Sequence, residues 1–262
     1  MSEGALGGLI RGVIRSGVLG ARGRTPYREP LVGCAPADHG VWERIRAWSG
    51  PEHRMPGDLL PGARTVVAFF VPFGEPVVRS VRSAGGTTRE WVTAYRETNA
   101  LIDRITAELV AALSRRGVRA AAQPATHNFD PRTLASRWSH KSAAAAAGLG
   151  SFGLHRMLIT ERGCAGRCGS LVLDASLGPP APAVAPNRCL FFHDGSCRAC
   201  VERCPTGALW SGRPGEPNLD RHRCYTRLLE VEARTGADCC GLCAVGPCAL
   251  GDPSRPAHPR GA

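Results

Sequence analysis

The sequence predicts an α+β fold: a body of strands alternating with helices, followed by a small domain built around cysteine ligands. Three observations predict it. Residues 65–71, TVVAFFV, form a short apolar run bounded by Pro61-Gly62 and Pro72, the pattern of a buried strand. Leu101, Ile105 and Leu109 recur every fourth residue, one stripe of a long helix. Most of the twelve cysteines lie between Cys189 and Cys248, so they make one local site, because a disulfide framework would spread over the fold.

The elements follow in order. The first residues, MSEGALGGLIRGVIRSGVLGARGR, hold Arg11 and Arg15 inside their apolar stretch, so no continuous secretory core forms, and no stretch of the chain is long and apolar enough to span a membrane. A reducing cytoplasm is therefore expected, where grouped cysteines are metal ligands or redox groups. After the strand at 65–71, a helix runs from about Trp91 to Arg116, where Gly117 stops it, and Val118 to Gln123 is the next strand. Ser139 to Ala147 is an alanine-rich helix ended by Gly148; Met157 to Thr160 and Ser170 to Asp174 are further strands. Residues 178–187, GPPAPAVAPN, hold four prolines and suit neither a helix interior nor a central strand. This linker divides the chain into an α/β cofactor or substrate domain over 1–180, a cysteine domain over 181–252 and a disordered tail over 253–262.

The formal charge is +11, and Lys141 is the sole lysine, so the excess is arginine. Base composition accounts for such a bias; so does an acidic partner such as a flavodoxin, a ferredoxin or RNA. No run of five basic residues occurs, which keeps the nucleic-acid signal weak.

The cysteines fall into two groups, Cys189-x7-Cys197-x2-Cys200-x3-Cys204-Pro205 and Cys224-x15-Cys240-x2-Cys243-x4-Cys248. In bacterial ferredoxins a tight loop of thiolates wraps three corners of an iron–sulfur cube, and the fourth cysteine, before proline, reaches a second cube. The spacing therefore predicts a ferredoxin-like domain with two [4Fe–4S] clusters and crossed ligation. Cys189, Cys197, Cys200 and Cys248 hold the first cluster; Cys204, Cys224, Cys240 and Cys243 hold the second. Two such clusters, each carrying about −2 with its thiolates, would lower the net charge to roughly +7. Asp194 stands where the pattern has its first cysteine and is an alternative to Cys189, and Cys239 is an alternative to Cys240. Structural zinc satisfies the same count, although the continuation into Cys204-Pro205 favours iron–sulfur. Cys34, Cys164 and Cys168 remain; Cys164-x3-Cys168 reads as small buried thiols, a redox pair or a third metal site.

The stretch from His140-Lys141-Ser142 through Ala147-Gly148-Leu149-Gly150-Ser151-Phe152-Gly153, then Met157-Leu158-Ile159-Thr160, resembles a segment of the epoxyqueuosine reductase family. So do Gly195-Ser196-Cys197, Cys204-Pro205-Thr206-Gly207-Ala208 and Leu219-Asp220-x3-Cys224. These are cobalamin and iron–sulfur reductases related to reductive dehalogenases, and the resemblance covers roughly residues 60–250. It implies a nitroreductase-like α/β domain before the clusters, with cobalamin over the turn holding Gly148, Gly150 and Gly153. It also implies an acidic proton donor a short way upstream, at a position that falls near Leu134 in this chain. Asp130 is close in sequence, although Asp130-Pro131 is an ordinary turn signal. Tyr95 aligns loosely with a family tyrosine, and His127, His140 and His155 are further candidates to move a proton. Longer members add helical repeats that help hold tRNA; this chain reads as a short member without them, so tRNA is a weak expectation.

Two functions follow as expectations. One is a reductase passing electrons through the clusters to a corrinoid or directly to a small-molecule substrate, fed by a flavodoxin, ferredoxin or similar donor. The other is a non-catalytic carrier delivering electrons to a partner's cofactor.

Overall fold

The computed structural model describes residues 2–178 and 185–251, so most of the proline-rich linker and the expected disordered tail lie outside the described residues. The chain opens with helix α1 (Glu3–Leu19), edge strand β1 (Leu31–Pro36), helix α2 (Val41–Ser49) and the single turn α3 (Pro56–Leu59). Strand β2 (Thr65–Pro72), α4 (Glu75–Ala84), the long α5 (Arg89–Ser114) and β3 (Ala120–Ala122) follow. Helix α6 (His140–Ala146) leads into the hairpin of β4 (Gly150–Phe152) and β5 (Leu158–Thr160), then β6 (Gly166–Leu173). The cysteine segment contributes α7 (Leu190–Asp194), α8 (Ala199–Glu202), α9 (Arg221–Thr235) and a 3₁₀ turn over Leu242–Ala244.

The main sheet has the order β1-β2-β6-β3, and every pair is antiparallel. The architecture is therefore α+β. Strand β2 is buried at all eight positions, and the reason is its period of two. Val67, Phe69 and Val71 face one core with α1 and α5; Val66, Ala68 and Phe70 face another with Trp42, Trp138 and the alanines of α6. A strand covered by helices on both faces must be apolar throughout, which is what the run at 65–71 signals.

Local chemistry sets the helix ends. The Thr88 hydroxyl accepts from Trp91 N to start α5, and Ser139 accepts from Ser142 N to start α6. Gly117 and Gly148 follow the two helices in the left-handed region, where other residues are strained.

A third core joins the body to the cysteine segment: Val77, Val78, Val81 and Trp91 pack with Cys189, Cys200, Leu242, Val245 and Ala249. Polar contacts reinforce it. Arg82 donates to the carbonyls of Val245 and Gly246, the Thr87 hydroxyl donates to Cys240 O, and Arg28 reaches Leu250 O. Gly241 has φ +86° and carries no Cβ, and the Trp91 indole lies where a Cβ would be. Among the described residues no helix is long and apolar enough to cross a membrane.

Candidate metal centre and adjoining cleft

None of the twelve cysteines is in a disulfide. Cys189, Cys197, Cys200 and Cys248 line one cavity of about 70 Å³, together with Leu154, His155 and Ile159. Burial, and then the neighbouring Cys248, Cys189 and Cys197, push the Cys200 thiol up to about 12. A second set gathers round Cys243. Burial raises Cys224, with Cys240 and Cys204 as its charged neighbours, and Cys243 is raised by burial with Cys240, Cys224, Cys200 and Cys204 beside it, so Cys200 of the first set lies close to the second. Thiols crowded in this way resist ionising together, and a bound cation relieves the conflict.

Burial also acts to raise Cys204, but the Thr206 hydroxyl and the backbone N–H groups of Leu209, Thr206 and Ala208 outweigh it and hold the thiol low. The Cys-Pro-Thr-Gly-Ala turn thus wraps N–H donors round a sulfur, the surroundings that suit a cluster thiolate. The donor sets are all sulfur, with Cys189 and Cys200 buried and the others partly exposed, and they fit iron–sulfur ligation.

The alternatives separate as well. The Asp194 carboxylate accepts from Ser196 N at 2.8 Å and is absent from the cavity lining, whereas Cys189 Sγ accepts from Leu154 N there. Cys239 lies beside Asp238 and Arg167, and burial pushes it up to about 12. Cys164 and Cys168 face different neighbours. Cys164 Sγ is 3.7 Å from Cys248 Sγ, while Cys168 sits beside Lys141 and Arg167, pushed up to about 12 by burial. His155, Cys164 and Cys248 present ligand atoms within 4.8 Å of one another.

On the body side lies a cleft of about 300 Å³, bordered by Phe70, His127, Phe129, Trp138, Lys141 and Arg167. That volume is at the lower end of the range of small-molecule sites. Among the described residues, no carboxylate lines it. Burial lowers Lys141, which nevertheless feels Cys168, Cys243 and Cys224, so this cation stands between the cleft and the second thiol set. Arg167 stacks over the Tyr95 ring at 4.5 Å, and its Nε is buried without a hydrogen-bond partner.

The proton-donor candidates divide. Asp130 accepts from Arg132 N, Thr133 N and the Thr133 hydroxyl, which hold its carboxylate below the usual range. It braces its own turn and is not among the residues lining the cleft. His140 does line the cleft. Its Nε2–H donates to Pro124 O at 2.9 Å, which leaves Nδ1 to accept from the Ser170 hydroxyl at 2.7 Å; burial lowers it further. With both nitrogens engaged, it is a neutral clamp. Tyr95 donates to Asp238 Oδ1 at 2.6 Å, and burial, then that bond, push it up to about 12. His127 lies 3.1 Å from Asp238 Oδ2 and does line the cleft. Asp238, which joins them, carries no sequence signal of its own. Leu134, at the expected acid position, has φ +55°, an uncommon conformation for a branched side chain.

The glycines expected under a corrinoid have other reasons. Gly148 ends α6, Gly150 sits against the Ile159 backbone across the hairpin, and Gly153 leaves room for His155 and Ile159. Among the described residues, none of the three lines either space.

No protein-family model matches the chain. A curated epoxyqueuosine reductase of Pseudomonas aeruginosa is 25% identical over 194 residues, covering 72% of this chain and 49% of that protein. The chain thus spans about half the length of the curated relative it matches. An epoxyqueuosine reductase solved with an epoxyqueuosine-modified tRNA stem loop superimposes with TM-score 0.58 at 18% identity, over 96% of this chain and 70% of that one. The Bacillus subtilis epoxyqueuosine reductase, solved with a catalytic aspartate loop swung out of the active site, gives TM-score 0.57 at 19% identity, over 97% of this chain and 68% of that one. A variant of a catabolic reductive dehalogenase gives TM-score 0.52 at 15% identity, over 82% of this chain and 33% of that one. The sequence is similar to epoxyqueuosine reductases, and the fold is theirs.

Proposed function

We propose that this epoxyqueuosine-reductase-like chain is an iron–sulfur reductase acting on a substrate, or on a corrinoid that serves one, in the cleft beside Lys141. The observation that carries the reading is the pair of thiol sets, one lining a single cavity and the other gathered round Cys243. Cys189, Cys197, Cys200 and Cys248 would hold one [4Fe–4S] cluster and Cys204, Cys224, Cys240 and Cys243 the other. When bound, such clusters supply single electrons at low potential.

The chain's own residues do the rest. Leu154 and Ile159 keep water from the first thiol set. Lys141 and Arg167 place positive charge at the cleft, which favours an anionic or electron-accepting group there. His127, oriented by Asp238, is the proton-bearing group at the cleft wall, and Tyr95 backs the same carboxylate. The unpartnered Arg167 Nε favours this reading over that of a pure carrier, which needs no cleft with an unsatisfied donor.

Anaerobic reconstitution with iron and sulfide tests the ligation: about eight irons per chain are expected from two [4Fe–4S] clusters. Cys204→Ser should perturb the same paramagnetic signal as Cys240→Ser. Stoichiometric zinc without acid-labile sulfide would end the proposal.

The substrate follows from the missing acid. With no carboxylate at the cleft and Asp130 held in its turn, slow reduction of epoxyqueuosine in tRNA is expected. General-acid help contributes roughly 10²–10⁴ in rate. Turnover at the rate of a longer relative, assayed anaerobically with a strong reductant and cobalamin, would return tRNA to first place.

A further inference from the structure

The tip of the β4–β5 hairpin enters the function proposed above only through Leu154, yet it is held by several hydrogen bonds. Gly153 N donates to Met157 O at 3.0 Å and Arg156 N to Gly153 O at 2.9 Å, closing a five-residue loop. Arg156 has φ +59°, a strained setting for a long side chain. Its guanidinium bonds Asn218 Oδ1 and Glu216 O, and the buried Asn218 amide donates to Leu154 O at 2.7 Å. The loop is therefore pinned from the cysteine segment.

What the pinned loop presents is two N–H groups aimed at sulfur. Leu154 N donates to Cys189 Sγ at 3.5 Å. His155 Nε2 lies 3.3 Å from Cys248 Sγ, and its tautomer is fixed from behind. Met157 N donates to His155 Nδ1 at 3.1 Å, so Nδ1 is the acceptor and Nε2 carries the hydrogen. His155 is 4% exposed, and Gly153 leaves the space its ring occupies. Cys164 Sγ also lies 3.7 Å from the same sulfur, and its single S–H has Ala244 O as a second acceptor at 3.5 Å.

The geometry points to the hairpin tip as a redox-tuning cap on the cluster held by Cys189, Cys197, Cys200 and Cys248, with His155 as its positioning residue. The inference rests on the iron–sulfur ligation proposed above. Reduction adds negative charge to a cluster, and hydrogen bonds to its sulfurs stabilise that charge, raising the potential. Two of four ligand thiolates receive such bonds from a rigid loop of the reductase body, so the loop holds this cluster's potential above the value it would have without them. The surroundings of Cys204, where the donors come from its own turn, are untouched by the loop.

The test is a potentiometric titration of the reconstituted chain followed by paramagnetic resonance, with His155→Leu and His155→Gln beside the wild type. Iron analysis comes first: eight irons in all three proteins shows that the ligation stands, and an absence of iron–sulfur signal in the wild type would instead remove the reading beneath. With both clusters present, His155→Leu is expected to lower one midpoint potential and leave the other where it was. His155→Gln, whose amide reaches the Nε2 position, is expected to recover part of the shift. Pulsed resonance in deuterated buffer should show one exchangeable proton fewer near the affected cluster in His155→Leu. Unchanged potentials in His155→Leu, or both potentials moving together, would overturn the inference while leaving the ligation intact.

Discussion

The sheet body and the cysteine segment solve the problem of staying folded by different means. In the body, β2 buries all eight of its residues between α1 and α5 on one face and α6 on the other. Apolar area does the holding there, at about 25 cal/mol per Å² removed from water. In the cysteine segment, α7 and α8 span five and four residues, and the fifteen residues of α9 bury only Val231. So little apolar burial cannot offset the chain entropy of such a stretch. Its order depends on what the thiols bind and on the core it shares with Trp91 and α4. A region built on burial tolerates loss of metal; a region built on ligands does not.

The largest expected effect breaks the comparison most directly. Stripping iron with a chelator under anaerobic conditions should abolish amide-exchange protection across 185–251 while β2 and β6 keep theirs. If both regions exchange together, the shared core has made them one cooperative unit. Next, Phe69→Ala, at a fully buried position of β2, should cost about 3–5 kcal/mol in chemical unfolding of the body. Reconstituted iron per folded chain should stay unchanged, and a parallel loss of iron would show that the body carries the metal site more directly than its contacts suggest.

The smallest effect is the pH dependence of the body, through His140. Its imidazole is held neutral by burial, with Arg167 adding to the effect and Pro124 O and Asp103 opposing it. Folded, the ring refuses a proton that the unfolded chain takes up near its reference value of 6.5. Stability from this site is therefore complete above that value and is lost as pH falls below it. His140→Gln should flatten the decline of unfolding free energy between about pH 7 and 5 at a cost of about 1–3 kcal/mol in buried hydrogen bonds. The burial of His53, lowered in the same direction, leaves a residual slope. A variant that keeps the full wild-type slope would move the pH sensitivity to the cysteine segment.

What could be read from the sequence follows the same division. Strand β2, helices α5 and α6, and strands β5 and β6 announce themselves by apolar period and by Thr88, Ser139, Gly117 and Gly148 at the helix ends. Helix α1 went unread although Leu6, Ile10, Ile14 and Val18 repeat every fourth residue, because Gly4, Gly7, Gly8, Gly12 and Gly17 argue against a helix. Burial against α5 outweighs that propensity. Helix α9 shows no apolar stripe to find, although Asp220 is a visible cap. At the site, the two cysteine groups were legible because their spacing is a local pattern in the sequence. The glycines were legible only as places of close approach; what approaches Gly150 and Gly153 is Ile159 and His155, which tertiary pairing alone decides. The Asp238 bridge between Tyr95 and His127 had no signal, because its partners are more than a hundred residues away.

The docking of the last cysteine has a consequence for biosynthesis. Cys164 N donates to the carbonyls of Cys248 and Ala249, and Ala165 N donates to Ala249, so a segment made late closes over the strand ends of a body made before it. Cys189 and Cys248 border the same cavity. At 5–20 residues per second the ribosome needs roughly 3 to 12 seconds to travel from one to the other. During that interval Cys189, Cys197 and Cys200 would wait on the nascent chain without Cys248, the fourth ligand proposed above. Thiols left in that state are open to oxidation and to the wrong metal. A cell making this protein in air should therefore yield more chains with an incomplete first cavity than with an incomplete second, whose ligands end at Cys243.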